Sequence, residues 1–182
     1  MHLAAQTPNV LTLLRIALVP ALAWTLWERA YAEALGLAAF MGFTDALDGY
    51  LAKRYGWQSR LGAVLDPLAD KLMLTVTYVV LGIMGLVPVA LVVLVVLRDL
   101  VILGGAAAYR ILIGPVEMQP TLISKLNTGM QIALVLLVVL GQLRTLPPAL
   151  IDSALWLTVL TTTWSGVDYV LRWSAKARAH AG

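Results

Sequence analysis

Six apolar stretches, each close to the length that crosses a lipid bilayer, leave this sequence few folds to choose from. A hydrocarbon core of about 30 Å takes roughly 20 helical residues. The stretches run approximately from Val10 to Trp27, Tyr31 to Arg54, Arg60 to Leu86, Pro88 to Leu112, Ile123 to Leu143 and Pro147 to Trp173. Turn-forming residues separate them: Gly56, then Gly85 with Pro88, then Gly114, Pro115 and Pro120, and finally Pro147 with Pro148. Composition agrees, because 60% of the 182 residues are hydrophobic, 13% are charged and mean hydropathy is +0.86. Those values exclude a water-soluble globular domain. The expected fold is an all-α integral membrane protein with six transmembrane helices, forming one catalytic-sized domain over residues 1–182. No internal repeat or low-complexity linker interrupts it.

Basic residues orient these helices. The 2–3 turn, the 4–5 turn with its helix ends, and the C-terminal tail hold Lys53, Arg54, Arg60, Arg110, Lys125, Arg172, Lys176 and Arg178, whereas the other connections hold Arg29 and Arg144. The positive-inside bias then places both termini and the 2–3 turn in the cytoplasm. A net charge of +3 and a pI near 9.4 reflect this basic face, which favours anionic lipid. The cations hug membrane ends instead of forming a patch on a soluble domain, so nucleic acid is not an expected partner. The N-terminal apolar run passes Arg15 without a small-residue cleavage site and lacks a basic leader, so it reads as a retained helix. With no transit peptide legible, the expected location is a bacterial plasma (inner) membrane.

Against this background, four aspartates stand out in DALDGYLAKRYGWQSRLGAVLDPLAD: Asp45 and Asp48 before the basic turn, Asp66 and Asp70 after it. Ionisable groups within apolar segments are costly and mark function. At about 1.5 Å per residue, Asp48 and Asp66 each lie roughly 9 Å deep of the flanking Arg54 and Arg60, and Asp45 and Asp70 roughly 14 to 15 Å deep. Spacings of i,i+3 and i,i+4 put each pair on one helix face. An antiparallel hairpin would bring all four together.

Four ionised carboxylates cannot share a desolvated site unaided, since like charges and burial both disfavour the charged form. Divalent cations resolve this. The sequence has no cysteine, and His2 and His180 lie at the chain ends, so any metal must be held by oxygen. An all-oxygen set suits magnesium, manganese or calcium, and a pair of metals can hold both the attacking and the leaving oxygen of a phosphoryl displacement. Gly49, Ala52 and Gly62 leave room for a bulky ligand near the backbone, and Lys53, Arg54 and Arg60 supply cations for a phosphate at the cytoplasmic rim. Each group also has a plainer reading: helix packing for the glycines, topology for the cations, tolerated polar residues for the aspartates. A divalent-cation transporter is another use of intramembrane acids, but it calls for acids spaced along a pore or at the midplane.

Asp45, Asp48, Gly49, Ala52, Gly62, Asp66 and Asp70 reproduce the pattern DxxDGxxAR, eight or nine residues, GxxxDxxxD, which resembles the signature of the CDP-alcohol phosphotransferases. One position departs: the arginine after the alanine is Lys53 here, with Arg54 next. A lysine offers a point charge without a bidentate fork. The resemblance implies a six-helix membrane enzyme, a homodimer, whose site opens toward the cytoplasm. It implies that Asp45, Asp48, Asp66 and Asp70 hold two divalent cations, Mg2+ or Mn2+, that Asp70 is the general base, and that Gly49, Ala52, Lys53 and Gly62 contact the CDP moiety. The implied reaction is attack by an alcohol on the phosphate next to the diacylglycerol of CDP-diacylglycerol, with release of CMP.

Outside the signature, LVPVALVVLVVLRDLVIL and MQPTLISKLNTGMQ resemble the mitochondrial-type cardiolipin synthases, in which a proline-threonine pair precedes ISKxNT, as Pro120, Thr121 and Ile123 to Thr128 do here. The implied acceptor is phosphatidylglycerol. Phosphatidylglycerophosphate synthases, which use glycerol 3-phosphate, are the alternative; they read REI in place of Arg98, Asp99 and Leu100, and GKxKT in place of Ser124 to Thr128. Glycerol 3-phosphate is a monoester approaching charge −2, whereas phosphatidylglycerol carries about −1, and Asn127 in place of a second lysine fits the smaller charge. The candidates for contact with the acceptor or its phosphate are Arg54, Arg60, Arg98, Arg110 and Lys125. Lys125 and Arg110 can equally serve as positive-inside anchors, and Arg98 with Asp99 can be a buried ion pair. Arg15 and Asp168 are expected to make polar contacts between helices and are assigned no chemistry.

Overall fold

A computed structural model describes residues 7–55, 62–112 and 121–181; side chains within 7–9, 51–53, 62–64, 106–112 and 175–181 are outside the description. Among the described residues the secondary structure is helix with connecting turns, and no strand occurs. In chain order the helices are α1 (Thr7–Trp27), α2 (Tyr31–Tyr55), α3 (Gly62–Ile83), α4 (Val89–Leu112), α5 (Leu122–Leu143) and α6 (Pro148–Ala181). The six apolar stretches correspond to them one for one. The largest difference is at the end of α6, which continues beyond Trp173 through SAKARAHA. Alanine, lysine and arginine are strong helix formers, so helix persists there where hydrophobicity has stopped.

The helices fall into two compact units. The first contains α1 to α3 and the second α4 to α6, with the short stretch 142–144 grouped with the first. The family of contacts within the first unit is set by α1, which packs on both α2 and α3. Its buried positions are Thr12, Arg15, Val19, Leu22 and Leu26, at alternating spacings of three and four that trace one seam. Ala34 and Met41 on α2, and Ala69, Leu74 and Tyr78 on α3, are buried as well, and the two alanines allow close approach of neighbouring helices.

Both turns flanking this unit's far end are closed in the same way. After α3, the Leu86 N–H donates to Leu81 O at 2.9 Å and the Gly85 N–H to Gly82 O at 3.1 Å, the paired bonds of a Schellman cap. Gly85 takes the required left-handed conformation, with φ of 72°. After α1 the same bonds run from Ala30 to Thr25 O and from Arg29 to Leu26 O, each 2.9 Å. Here the left-handed residue is Arg29, with φ of 59°, which costs about 1 to 2 kcal/mol relative to a right-handed residue.

In the second unit α4 packs on α6. Leu91, Val95 and Ile102 on α4 and Leu134, Val138 and Val139 on α5 are buried. They share the interior with a polar set, Arg98, Asp99, Asn127, Thr158, Thr162 and Ser165, each less than a tenth exposed.

Candidate active site

The buried seam of α1 carries two polar residues, Thr12 and Arg15, in an otherwise apolar run, and each meets the aspartates of the hairpin. Arg15 Nη2 donates to Asp48 Oδ2 at 2.8 Å. Its Nη1 lies 2.6 Å from Asp45 Oδ1 and 2.9 Å from Asp70 Oδ1. Three carboxylates from two helices thus converge on one guanidinium. One turn earlier on α1, Thr12 Oγ1 donates to Asp66 Oδ1 at 2.5 Å. The order Thr12 to Asp66, then Arg15 to Asp70, means that α1 and α3 run the same way past the site, with α2 antiparallel to both. The i,i+3 and i,i+4 spacings read from the sequence do place each pair on the face that meets its neighbours.

Exposure gives the site a floor and a mouth. The Arg15 side chain is 1% exposed and that of Asp48 is 3%, whereas Asp45 and Asp70 are 40% and 51% exposed. The cluster is therefore open on the side of Asp45 and Asp70. A single positive charge faces three carboxylates, with Asp66 as a fourth nearby, so the cluster holds excess negative charge that a cation would neutralise. The donors are hard oxygens, the type that suits Mg2+ or Mn2+. As placed, with three of them turned onto Arg15, they do not form a ready metal-holding group among the described residues. The donor chemistry fits a divalent cation, and Arg15 occupies their meeting point.

Gly49 follows Asp48, and among the described residues no heavy atom lies within 4 Å of where its Cβ would stand. None of the described helices approaches it closely, and the space beside it is open among the described residues. Gly62 is the first residue of α3. The side chains of Ala52 and Lys53, and the residues Arg60 and Gly56, lie outside the described residues, as does the side chain of Arg110. Arg54 is exposed near the end of α2.

Arg98 and Asp99 form the buried ion pair, with Arg98 Nη1 2.7 Å from Asp99 Oδ1. The Arg98 guanidinium also donates to Ser165 Oγ on α6, from Nη2 at 2.6 Å and Nε at 3.2 Å, and to Ser124 Oγ on α5 at 2.7 Å. It ties three helices together. Asn127 is fully buried, and its Oδ1 accepts from Thr162 at 2.7 Å and Thr161 at 3.1 Å. Thr121 Oγ1 accepts the Ser124 N–H at 3.2 Å, capping the start of α5. Of the stretch that distinguishes the two acceptors in the sequence, Thr121, Ser124 and Asn127 hold helices, while Lys125 is exposed. Asp168 differs from its expected role between helices: its Oδ1 accepts from Arg172 Nε at 2.8 Å, one turn along the same helix.

The sequence profile of the CDP-alcohol phosphatidyltransferases matches residues 5–164, which take in α1 to α5, the first half of α6 and all four aspartates. The chain belongs to the CDP-alcohol phosphatidyltransferase family. Cardiolipin synthase (CMP-forming) of Homo sapiens is 34% identical over 179 residues, covering 89% of this chain and 60% of the human protein. The same-named protein of Rattus norvegicus is also 34% identical, over 89% of this chain and 59% of its own. CDP-diacylglycerol–glycerol-3-phosphate 3-phosphatidyltransferase 1, chloroplastic, of Oryza sativa is 33% identical over 91% of this chain and 56% of its own. The chain thus spans about 60% of the length of the human and rat relatives. The family is generally divalent-cation dependent. The contribution of α1, Thr12 and Arg15, lies inside the matched region but outside the DxxDGxxAR pattern.

Proposed function

We propose that this protein is a cardiolipin synthase that transfers the phosphatidyl group of CDP-diacylglycerol to phosphatidylglycerol and releases CMP. The observation that carries the reading is the convergence of Asp45, Asp48 and Asp70 on one point, open past Asp45 and Asp70, in a chain of this family. The human and rat relatives named cardiolipin synthase (CMP-forming) support the choice of acceptor. Phosphatidylglycerophosphate synthesis is the second reading, favoured by the name of the rice relative. Family membership stands against a divalent-cation transporter.

In this reading Asp45, Asp48, Asp66 and Asp70 hold two divalent cations, Mg2+ or Mn2+, which when bound neutralise the diphosphate and the charge developing on the departing CMP. Asp70, the most exposed of the three clustered aspartates, takes the proton of the acceptor hydroxyl as its oxygen bonds to the phosphorus next to diacylglycerol. The bond from that phosphorus to the CMP oxygen breaks. Gly49, Ala52, Lys53 and Gly62 line the CDP moiety, with the open space beside Gly49 supporting that role. Arg54, Arg60, Arg110 and Lys125 remain candidates for phosphate contact. Arg98 is committed to Asp99, Ser124 and Ser165, which supports a role in shaping the second unit.

We further propose that all six helices span the membrane, that residues 1–182 act as one transmembrane catalytic domain in a homodimer, and that both termini and the site face the cytoplasm of a bacterial plasma membrane. Val10–Trp27 and Leu122–Leu143 are long and apolar enough to cross a membrane. Support for the rest comes from large apolar side chains that lie exposed on every helix, among them Leu14, Phe43, Leu72, Leu97, Leu136 and Trp164. A water-facing surface does not carry so many. The eight-against-two bias of cations supports the orientation.

The test is CMP release by purified protein given CDP-diacylglycerol, phosphatidylglycerol and Mg2+. Release that stops with EDTA and returns with excess Mg2+ or Mn2+ supports the reading. Release unaffected by chelation would sink the metal assignment.

A further inference from the structure

We propose that Arg15 is an internal counter-ion that keeps Asp45, Asp48 and Asp70 gathered, and that a divalent cation must displace it to bind them. The proposal rests on reading these carboxylates as the ligands of the family's cations. Its basis is their meeting point: a guanidinium that is 1% exposed, with Asp48 on Nη2 and both Asp45 and Asp70 on Nη1. Asp45 and Asp48 come from α2 and Asp70 from α3, while Arg15 comes from α1, so the guanidinium fixes where the two acidic helices stand relative to one another.

The guanidinium holds this position imperfectly. Two carboxylates crowd Nη1, whereas the buried Nε has no acceptor among the described residues. An arginine fixed by a permanent structural pair uses its planar fork, with adjacent nitrogens each facing an oxygen. Here the head group is shared out among three acids and one of its donors is left over. A divalent cation supplies more charge at the same point and takes oxygens from all sides. The approach is open, since Asp45 and Asp70 are 40% and 51% exposed. Thr12 holds Asp66 separately, so that carboxylate keeps its place while the other three exchange partners.

An internal counter-ion and a purely structural arginine make opposite demands on cation affinity. Removing a structural arginine loosens the ligands and weakens cation binding. Removing a competing charge within a few ångströms strengthens it, because the repulsion between like charges at that distance is worth well over a factor of ten.

The test uses the full chain in detergent, without nucleotide or lipid substrate, and Mn2+ as the probe, with free Mn2+ read by electron paramagnetic resonance. Arg15→Gln is expected to bind Mn2+ at least about tenfold more tightly than the native protein. Arg15→Lys keeps the charge but presents a single ammonium that cannot bridge on two nitrogens, so its affinity is expected between the two. Without Mn2+, the thermal midpoint should fall from native to Arg15→Lys to Arg15→Gln, and saturating Mn2+ should narrow the differences. Should Arg15→Gln fail to fold, the Arg15→Lys comparison decides. Affinity equal to or below native in the variants, with native protein binding Mn2+, overturns this proposal and leaves the metal site standing. No Mn2+ binding by native or variant protein overturns both.

Discussion

Arg15 and Asp48, on α1 and α2 and 33 residues apart in the chain, form an ion pair of 2.8 Å in which the two side chains are 1% and 3% exposed. Breaking a buried pair leaves one charge uncompensated, at a cost of about 3 to 5 kcal/mol. Arg15 retains Asp45 and Asp70, so Asp48→Ala is expected to cost less, about 2 to 3 kcal/mol, and Asp48→Asn less again because the amide oxygen still accepts. Thermal unfolding in detergent checks the order. Equal stability of Asp48→Ala and native protein would show that the pair contributes nothing.

Asp70 stands at the exposed side of the same cluster, and its role there is separable from folding. Asp70→Asn is expected to lower CMP release by about 100- to 10,000-fold, the range for loss of a general base, with little change in thermal midpoint. Full activity in that variant would remove Asp70 from the proton transfer.

Arg29 is the left-handed residue of the cap that ends α1, where α3 uses Gly85. Arg29→Gly removes the strain of a side chain at positive φ and adds some chain entropy on unfolding. A net gain of up to about 1 kcal/mol is expected, read as a higher thermal midpoint with unchanged CMP release. A lower midpoint would mean that the Arg29 side chain contributes more than its backbone costs.

Ser165 accepts two hydrogen bonds from Arg98 across α4 and α6. Ser165→Ala strands those donors in a buried setting, and a loss of about 1 to 3 kcal/mol is expected. If Arg98 serves packing and not acceptor recognition, the KM for phosphatidylglycerol in this variant stays within about twofold while the thermal midpoint falls. A raised KM without loss of stability would return Arg98 to the acceptor.

The helices were legible because length, apolarity and Gly or Pro breaks all coincide, and α2 begins at Tyr31 and α5 within a residue of its expected start. Where apolarity and helix propensity part company, in SAKARAHA at the end of α6, the boundary moved. The facing aspartates were legible because helical spacing is a local property. Arg15 makes the polar contacts between helices expected of it, but that its partners are these aspartates was not legible. Thr12 and Arg15 share a face at i,i+3 within an apolar run, which marks them as a polar pair, but which helices that face meets is decided by packing. The same limit affected Ser124 and Asn127, whose side chains hold α4 and α6 respectively. Asp168 pairs with Arg172, four residues on, because a partner one turn along the same helix is available without any tertiary contact.

The central claim, phosphatidyl transfer to phosphatidylglycerol at the aspartate cluster, is tested most directly by acceptor competition. Purified protein receives CDP-diacylglycerol and Mg2+ with equal phosphatidylglycerol and glycerol 3-phosphate, and the lipid product is identified by mass spectrometry alongside CMP. The expected result is cardiolipin in step with CMP, and neither product from Asp70→Asn. Phosphatidylglycerophosphate in place of cardiolipin would contradict the assignment.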